Sequence, residues 1–118
     1  IEVFRRFIAG LPEDGALVIC DTPLLRELAR ATKARVITYG VEDTADYQAT
    51  DIDITLSGTS FHLSHPGNRA GQRVDLAVRG LHNVLNAMAA LAVLELVGAP
   101  PAQAAPAMAR FTSASDSK

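Results

Sequence analysis

Between Gly80 and Ala90 the chain reads Gly-Leu-His-Asn-Val-Leu-Asn-Ala-Met-Ala-Ala. One imidazole, His82, and two carboxamides, Asn83 and Asn86, stand at the front of a run that is otherwise apolar. The run predicts a helix starting at about Asn83. The first turn of a helix leaves backbone N–H groups without intrahelical partners, so polar side chains there cap the helix or hold a ligand. Asn83 and Asn86 are three apart and share a face of that turn. A carboxamide offers a donor and an acceptor side by side, the pattern that grips an adenine edge at N6 and N7. The plainer reading makes Asn83 the N-cap and Asn86 a polar first-turn residue. The two are compatible, because one Asn can cap while the other faces a ligand.

Other polar groups carry less. His62, His65 and His82 are the only histidines. Catalytic zinc needs three convergent ligands, and His62 and His65 point to opposite faces if a strand runs through both. Solvated loop histidines are the expectation, with no metal ligand assigned. Asp21 follows a strand end, where α/β sheets bind ligands, but helix capping together with Thr22 is the preferred role. Asp51 and Asp53 alternate with Ile52 and Ile54; paired carboxylates can do acid–base work, yet a solvated strand face explains them. No catalytic residue is assigned.

The elements that must position these groups follow from periodicity. Ile1, Phe4 and Ile8 predict a helix over residues 1–9. Residues 12–15 form a turn. Ala16 to Cys20 is a continuous apolar run, as in a buried parallel strand. Pro23 opens a helix to about residue 32, with Leu24, Leu25, Leu28 and Ala29 inward. Residues 35–39 form a second strand, closed by Gly40, which completes a right-handed βαβ unit. The period then changes: Ile52, Ile54 and Leu56, then Phe61 and Leu63, then Val74, Leu76 and Val78 alternate with polar residues. Alternation predicts half-buried antiparallel strands, with a tight turn at residues 57–59 and a longer loop at 66–71. The apolar helix, rich in Ala87, Ala89, Ala90 and Ala92, is read as a buried packing helix that Gly98 and Pro100 end. A last helix covers residues 101–110, and residues 112–118 are a polar tail. There are no internal repeats.

Composition narrows the classes. With 118 residues and 48% hydrophobic content, the chain is one domain or part of one. A net charge of −2 and a pI near 5.9 argue against a nucleic-acid surface. The longest apolar stretch carries Glu95 and falls short of the roughly 20 residues that a membrane span needs. No signal peptide is visible. Cys20 stands alone, which rules out an internal disulfide and suits a reducing, cytoplasmic location.

The stretch Gly80-x-His82-Asn83-x-x-Asn86-Ala87-x-Ala89-Ala90 resembles the end of the central domain of the Mur ligases, ATP-dependent amide-forming enzymes of peptidoglycan precursor synthesis. Gly15 to Asp21, Val36 to Gly40 and Ala45 to Ala49 resemble segments of the same domain in the same order. The likeness runs from about Val3 to about Phe111. It implies an α/β fold, the C-terminal part of a Mur ligase central domain: parallel strands with helices plus a small antiparallel sheet. Residues 1–111 are then a partial central, ATP-binding domain and 112–118 a tail or linker start. It further implies ATP and Mg2+ as cofactors, with the metal ligands outside this chain. His82 would lie against the adenine, and Asn83 and Asn86 would make amide contacts. Within the resemblance, His82 fits the alanine-adding, glutamate-adding or dipeptide-adding members, and the Tyr39-Gly40 and Ala45-Asp46-Tyr47 segment favours the first of these, acting on UDP-N-acetylmuramate through an acyl phosphate. The related murein tripeptide recycling ligase, a polyglutamate- or cyanophycin-type ligase, and a non-catalytic Mur-like module binding a nucleotide or a protein partner are the alternatives.

The chain departs from the family in two places: Arg79 stands where Pro is usual, and Ser115-Asp116-Ser117-Lys118 replaces an Arg-Arg-Phe run. It holds no Gly-rich phosphate loop ending in Gly-Lys-Ser/Thr. The chain alone is therefore expected to be inactive. Nucleotide and a UDP-muramoyl substrate are the partners implied for a full-length parent, with no nucleic acid and no membrane. An exposed edge strand offers a route to a dimer.

Overall fold

The computed structural model describes residues 2–110. Phe111 and the expected tail at 112–118 lie outside them, as does Ile1. Helix α1 spans Glu2–Ala9 and buries only Ile8 of its expected apolar face; Phe4 is partly exposed, and Val3 and Phe7 are exposed. Strand β1 (Ala16–Cys20) leads into helix α2 (Pro23–Ala29). Thr22 is the N-cap of α2: its hydroxyl accepts from the Leu25 N–H at 3.2 Å, and Pro23 opens the helix where no N–H is needed. The helix ends three residues earlier than expected. The N–H groups of Ala31 and Thr32 bond three residues back rather than four, which tightens the chain out of the α form. The Thr32 hydroxyl then accepts from Ala34 N–H at 3.0 Å and turns the chain into strand β2 (Arg35–Gly40).

Strands β3 (Tyr47–Thr55), β4 (Gly58–His65) and β5 (Asn68–Leu76) complete one sheet of order β1-β2-β3-β4-β5. The first three strands pair in parallel and the last three antiparallel. The β2–β3 ladder is short, joining only Tyr39 to Tyr47 and Gly40 to Gln48. The meander is as expected, but its details differ. In β3 the register shifts between Thr50 and Asp53, so Asp51 and Ile52 together oppose Phe61. This bulge moves the inward face from odd positions (Tyr47, Ala49) to even ones (Ile52). Past it the strand leaves the core: Ile54 is 45% exposed and Leu56 93%, against the half-buried expectation. The first turn lies at Leu56-Ser57, one residue early. The expected loop at 66–71 is a two-residue turn, Pro66-Gly67, followed at once by β5.

β1 is also less buried than a central parallel strand. Only Ile19 is fully inside, because among the described residues β1 pairs with β2 alone and forms a sheet edge. Helix α3 (Leu81–Leu96) packs across β1, β2 and β3. Val84, Ala87, Met88, Leu91 and Ala92 are buried in the main core beside Phe61, Leu63, Val74 and Leu76, as its reading as a packing helix requires. The expected last helix breaks in two. Helix α4 (Pro101–Ala104) passes into a 3₁₀ turn over Ala105–Arg110, since Pro106 has no N–H to continue the α ladder.

Candidate functional site

Helix α3 starts two residues before the expected point, and its N-cap is Gly80 rather than Asn83. Gly80 has φ 118° and ψ 150°, a region essentially reserved for glycine, and provides no side-chain cap. What fixes this start is Thr59 of β4. Its buried hydroxyl donates to Val78 O at 2.9 Å and accepts from Gly80 N–H at 3.1 Å. The first turn of α3 is thus anchored from behind and left without a side-chain cap in front.

The three predicted residues divide on this turn. Asn83 is buried, at 2% exposure, and its Nδ2 donates to Arg79 O at 3.0 Å. Its Oδ1 is buried with no partner among the described residues. His82 and Asn86 are exposed and four residues apart, so they share a helix face. The boundary between core and water passes between Asn83 and Asn86. The Asn86 carboxamide is open to solvent, whereas Asn83 has already spent a donor on the loop that precedes Gly80.

A second polar group gathers where β1 and β2 end. Asp21 does not share in capping α2. Its nearly buried carboxylate accepts from Arg26 Nε and, at 2.6 Å, from the Thr44 hydroxyl. Arg26 also donates to Thr44 O at 2.9 Å. The Arg26 guanidinium above all, helped by Thr44, holds the Asp21 carboxyl below its ordinary range against the opposing effect of burial. Asp46 accepts from both the backbone N–H and the hydroxyl of Thr38, at 2.9 and 3.2 Å. Residues 41–46 are therefore tied to both parallel strands. None of these partners was visible as a sequence motif. The Thr44–Asp21 contact joins residues 23 apart, and Thr59 reads in sequence only as one more turn residue.

The remaining candidates fall away as chemistry. His62 and His65 do lie on opposite faces, but both belong to β4 rather than to a loop. His65 is 6% exposed and stacked on Tyr47 at 5.6 Å, while His62 bonds Ala70 O at 2.7 Å. Among the described residues no group of three or more His, Cys, Asp or Glu side chains could hold a metal. Asp51 occupies the bulge at φ 52° and Asp53 lies beyond it in register with Ser60, both exposed. Among the described residues no helix is long and apolar enough to cross a membrane.

The parallel strands, the antiparallel extension and the helix packed across them define a mixed α/β domain with one five-stranded sheet. Residues 1–94 match the family described as the Mur ligase middle domain, and the chain belongs to that family. It is 36% identical over 112 residues to a UDP-N-acetylmuramate--L-alanine ligase of Rubrobacter xylanophilus, covering 94% of this chain and 24% of that protein. A ligase of the same name from Acidothermus cellulolyticus is 37% identical over 115 residues, with the same coverage. Among solved structures, the murein peptide ligase of Psychrobacter arcticus superposes with a TM-score of 0.76 at 27% identity, covering 93% of this chain and 23% of that one. The MurF structure from Acinetobacter baumannii gives the same TM-score at 24% identity, covering 96% and 23%. The chain spans about a quarter of the length of the curated relatives it matches.

Proposed function

We propose that this chain supplies the adenine side of the ATP site in an ATP-dependent ligase of peptidoglycan precursor synthesis, one that joins L-alanine to UDP-N-acetylmuramate. The observation that carries the reading is the division of labour on the first turn of α3. Asn83 locks the preceding loop and keeps a buried oxygen unpaired, while His82 and Asn86 face outward beside uncapped N–H groups. His82 offers a ring face to stack on a base, and Asn86 offers paired donor and acceptor atoms. ATP brings the phosphoryl group that converts a carboxylate into an acyl phosphate. The residues described here hold the base end of that nucleotide and leave phosphate and metal to the rest of the ligase. The names of the relatives, at 35–37% identity, support the alanine-adding branch.

The test is an amide-resolved NMR titration of the chain with ATP. Saturable shifts confined to residues 80–87, lost in Asn86→Ala, are the expected result. Shifts that survive both His82→Ala and Asn86→Ala would falsify the assignment. The chain by itself should catalyse no amide formation, and ATP-dependent ligation by the purified 118 residues would overturn the division of roles.

A further inference from the structure

Among the described residues the short β2–β3 ladder leaves the first half of β2 without a strand neighbour on that side, and a cavity of about 440 Å³ opens there beneath the last turn of α3. Its lining includes the side chains of Arg35, Ile37, Asp46, Tyr47, Glu95 and Leu96, with Val36 at the strand edge. Peptide groups alternate along a strand. Arg35 N–H bonds Gly15 O and Tyr39 O receives the Asp21 N–H, so odd residues of β2 face β1. Even residues face the other way: Thr38 N–H reaches Asp46, and the N–H and C=O of Val36 point into the cavity side. Arg35 takes part in no ion pair among the described residues. Glu95 receives the Tyr47 hydroxyl on one carboxylate oxygen, leaving the other for a second donor. The cavity therefore presents an unpaired guanidinium, a half-used carboxylate and a strand edge, beside an Asp46 carboxylate that Thr38 already engages, over walls of Ile37, Ala92 and Leu96.

We propose that this cavity binds a free, apolar α-amino acid, with the ligand's carboxylate on Arg35, its ammonium on Glu95 and its side chain on the aliphatic walls. A guanidinium matches a carboxylate in a bidentate fork. A carboxylate already holding one hydroxyl still has lone pairs for an ammonium. The site is separate from the nucleotide reading: Glu95 lies in the last turn of α3 and His82 in its first, about 20 Å apart along a helix rising 1.5 Å per residue.

L-Leucine is the probe, titrated into the chain and followed by backbone amide shifts. Saturable shifts at Val36, Ile37 and Glu95, with residues 80–87 unmoved, are expected. N-acetyl-L-leucine and L-leucinamide each lack one charge and should bind at least about tenfold more weakly, a loss typical of removing one charged partner. Arg35→Gln should weaken L-leucine to a similar degree; its exposed side chain makes it the variant least able to disturb the fold. Glu95→Gln tests the other end, with the amide spectrum reporting whether the fold is kept. Absence of saturable shifts, equal binding of the acetylated ligand, or unchanged binding in Arg35→Gln each overturns the proposal.

Discussion

At the scale of single residues, Asn83 and Asn86 look alike in sequence and differ in what holds them. Asn83 is enclosed and bonded to Arg79 O, so Asn83→Ala should lower stability by about 1 kcal/mol, the net worth of a typical hydrogen bond. Asn86 is exposed, and Asn86→Ala should leave stability within about 0.5 kcal/mol while removing nucleotide shifts. Chemical denaturation of both variants separates the lock from the contact. A fall in stability with Asn86→Ala as large as with Asn83→Ala would contradict it. Asp21 gives a pH prediction. Its folded pKa lies below the ordinary 3.8, so its contribution is present above that value and is lost as pH falls through the lower folded one. Asp21→Asn should therefore destabilise the chain at neutral pH and flatten the acid limb of its stability profile. A profile with an unchanged acid limb would show that Asp21 is not a source of it. Tyr47 carries no such dependence near neutrality. Burial first, then the Glu95 bond, raise its hydroxyl far above the ordinary tyrosine range.

At the scale of elements, two glycines set where the site begins. Gly80 turns the chain into α3 at positive φ, and Gly58 has φ 151° with the Leu76 carbonyl oxygen 2.1 Å from where a Cβ would stand. That oxygen belongs to the backbone of β5 and cannot swing away. Gly58→Ala should thus cost at least about 1–3 kcal/mol and disturb Thr59, the neighbour that pins Val78 and Gly80. A thermal midpoint equal to that of the parent chain would mean that the β4–β5 approach is looser than described. Along α3 the apolar pattern has the opposite consequence. Leu91 is fully buried, and Leu91→Ala should cost roughly 2–5 kcal/mol as a cavity opens between helix and sheet. Equilibrium unfolding in urea would check this, a loss below about 1 kcal/mol being inconsistent with the packing.

At the scale of the whole molecule, the open feature is β1. Leu17, Val18 and Ile19 are apolar on both faces of a strand that has one neighbour among the described residues. Since odd residues of β1 bond β2, the N–H of Val18 points to the free edge. An edge of this kind is a template for another strand. We propose that the chain self-associates through it. Sedimentation should show a concentration-dependent dimer, weakened by Val18→Pro, which removes a donor from the free edge while sparing the β1–β2 ladder. A monomer at all accessible concentrations would reject the proposal, as would a dimer indifferent to Val18→Pro in a variant still folded by circular dichroism.

Local pattern was enough for the βαβ unit, the antiparallel meander, the apolar packing helix and membership of the Mur ligase family, because period, capping and turn chemistry are set within a few residues. His82, Asn83 and Asn86 were recognisable as a polar helix start for the same reason. Which of them faces water was not, since burial depends on where β4 and β5 stand behind the turn. The exits of Ile54 and Leu56 from the core depend on a bulge that no residue type announces. The Asp21–Arg26–Thr44 tie, the Thr59 anchor and the Tyr47–Glu95 bond join groups far apart along the chain. Only the packed sheet brings them within hydrogen-bond reach. The sequence determined the elements and the family; the tertiary structure decided which polar groups are structural and which remain free to bind.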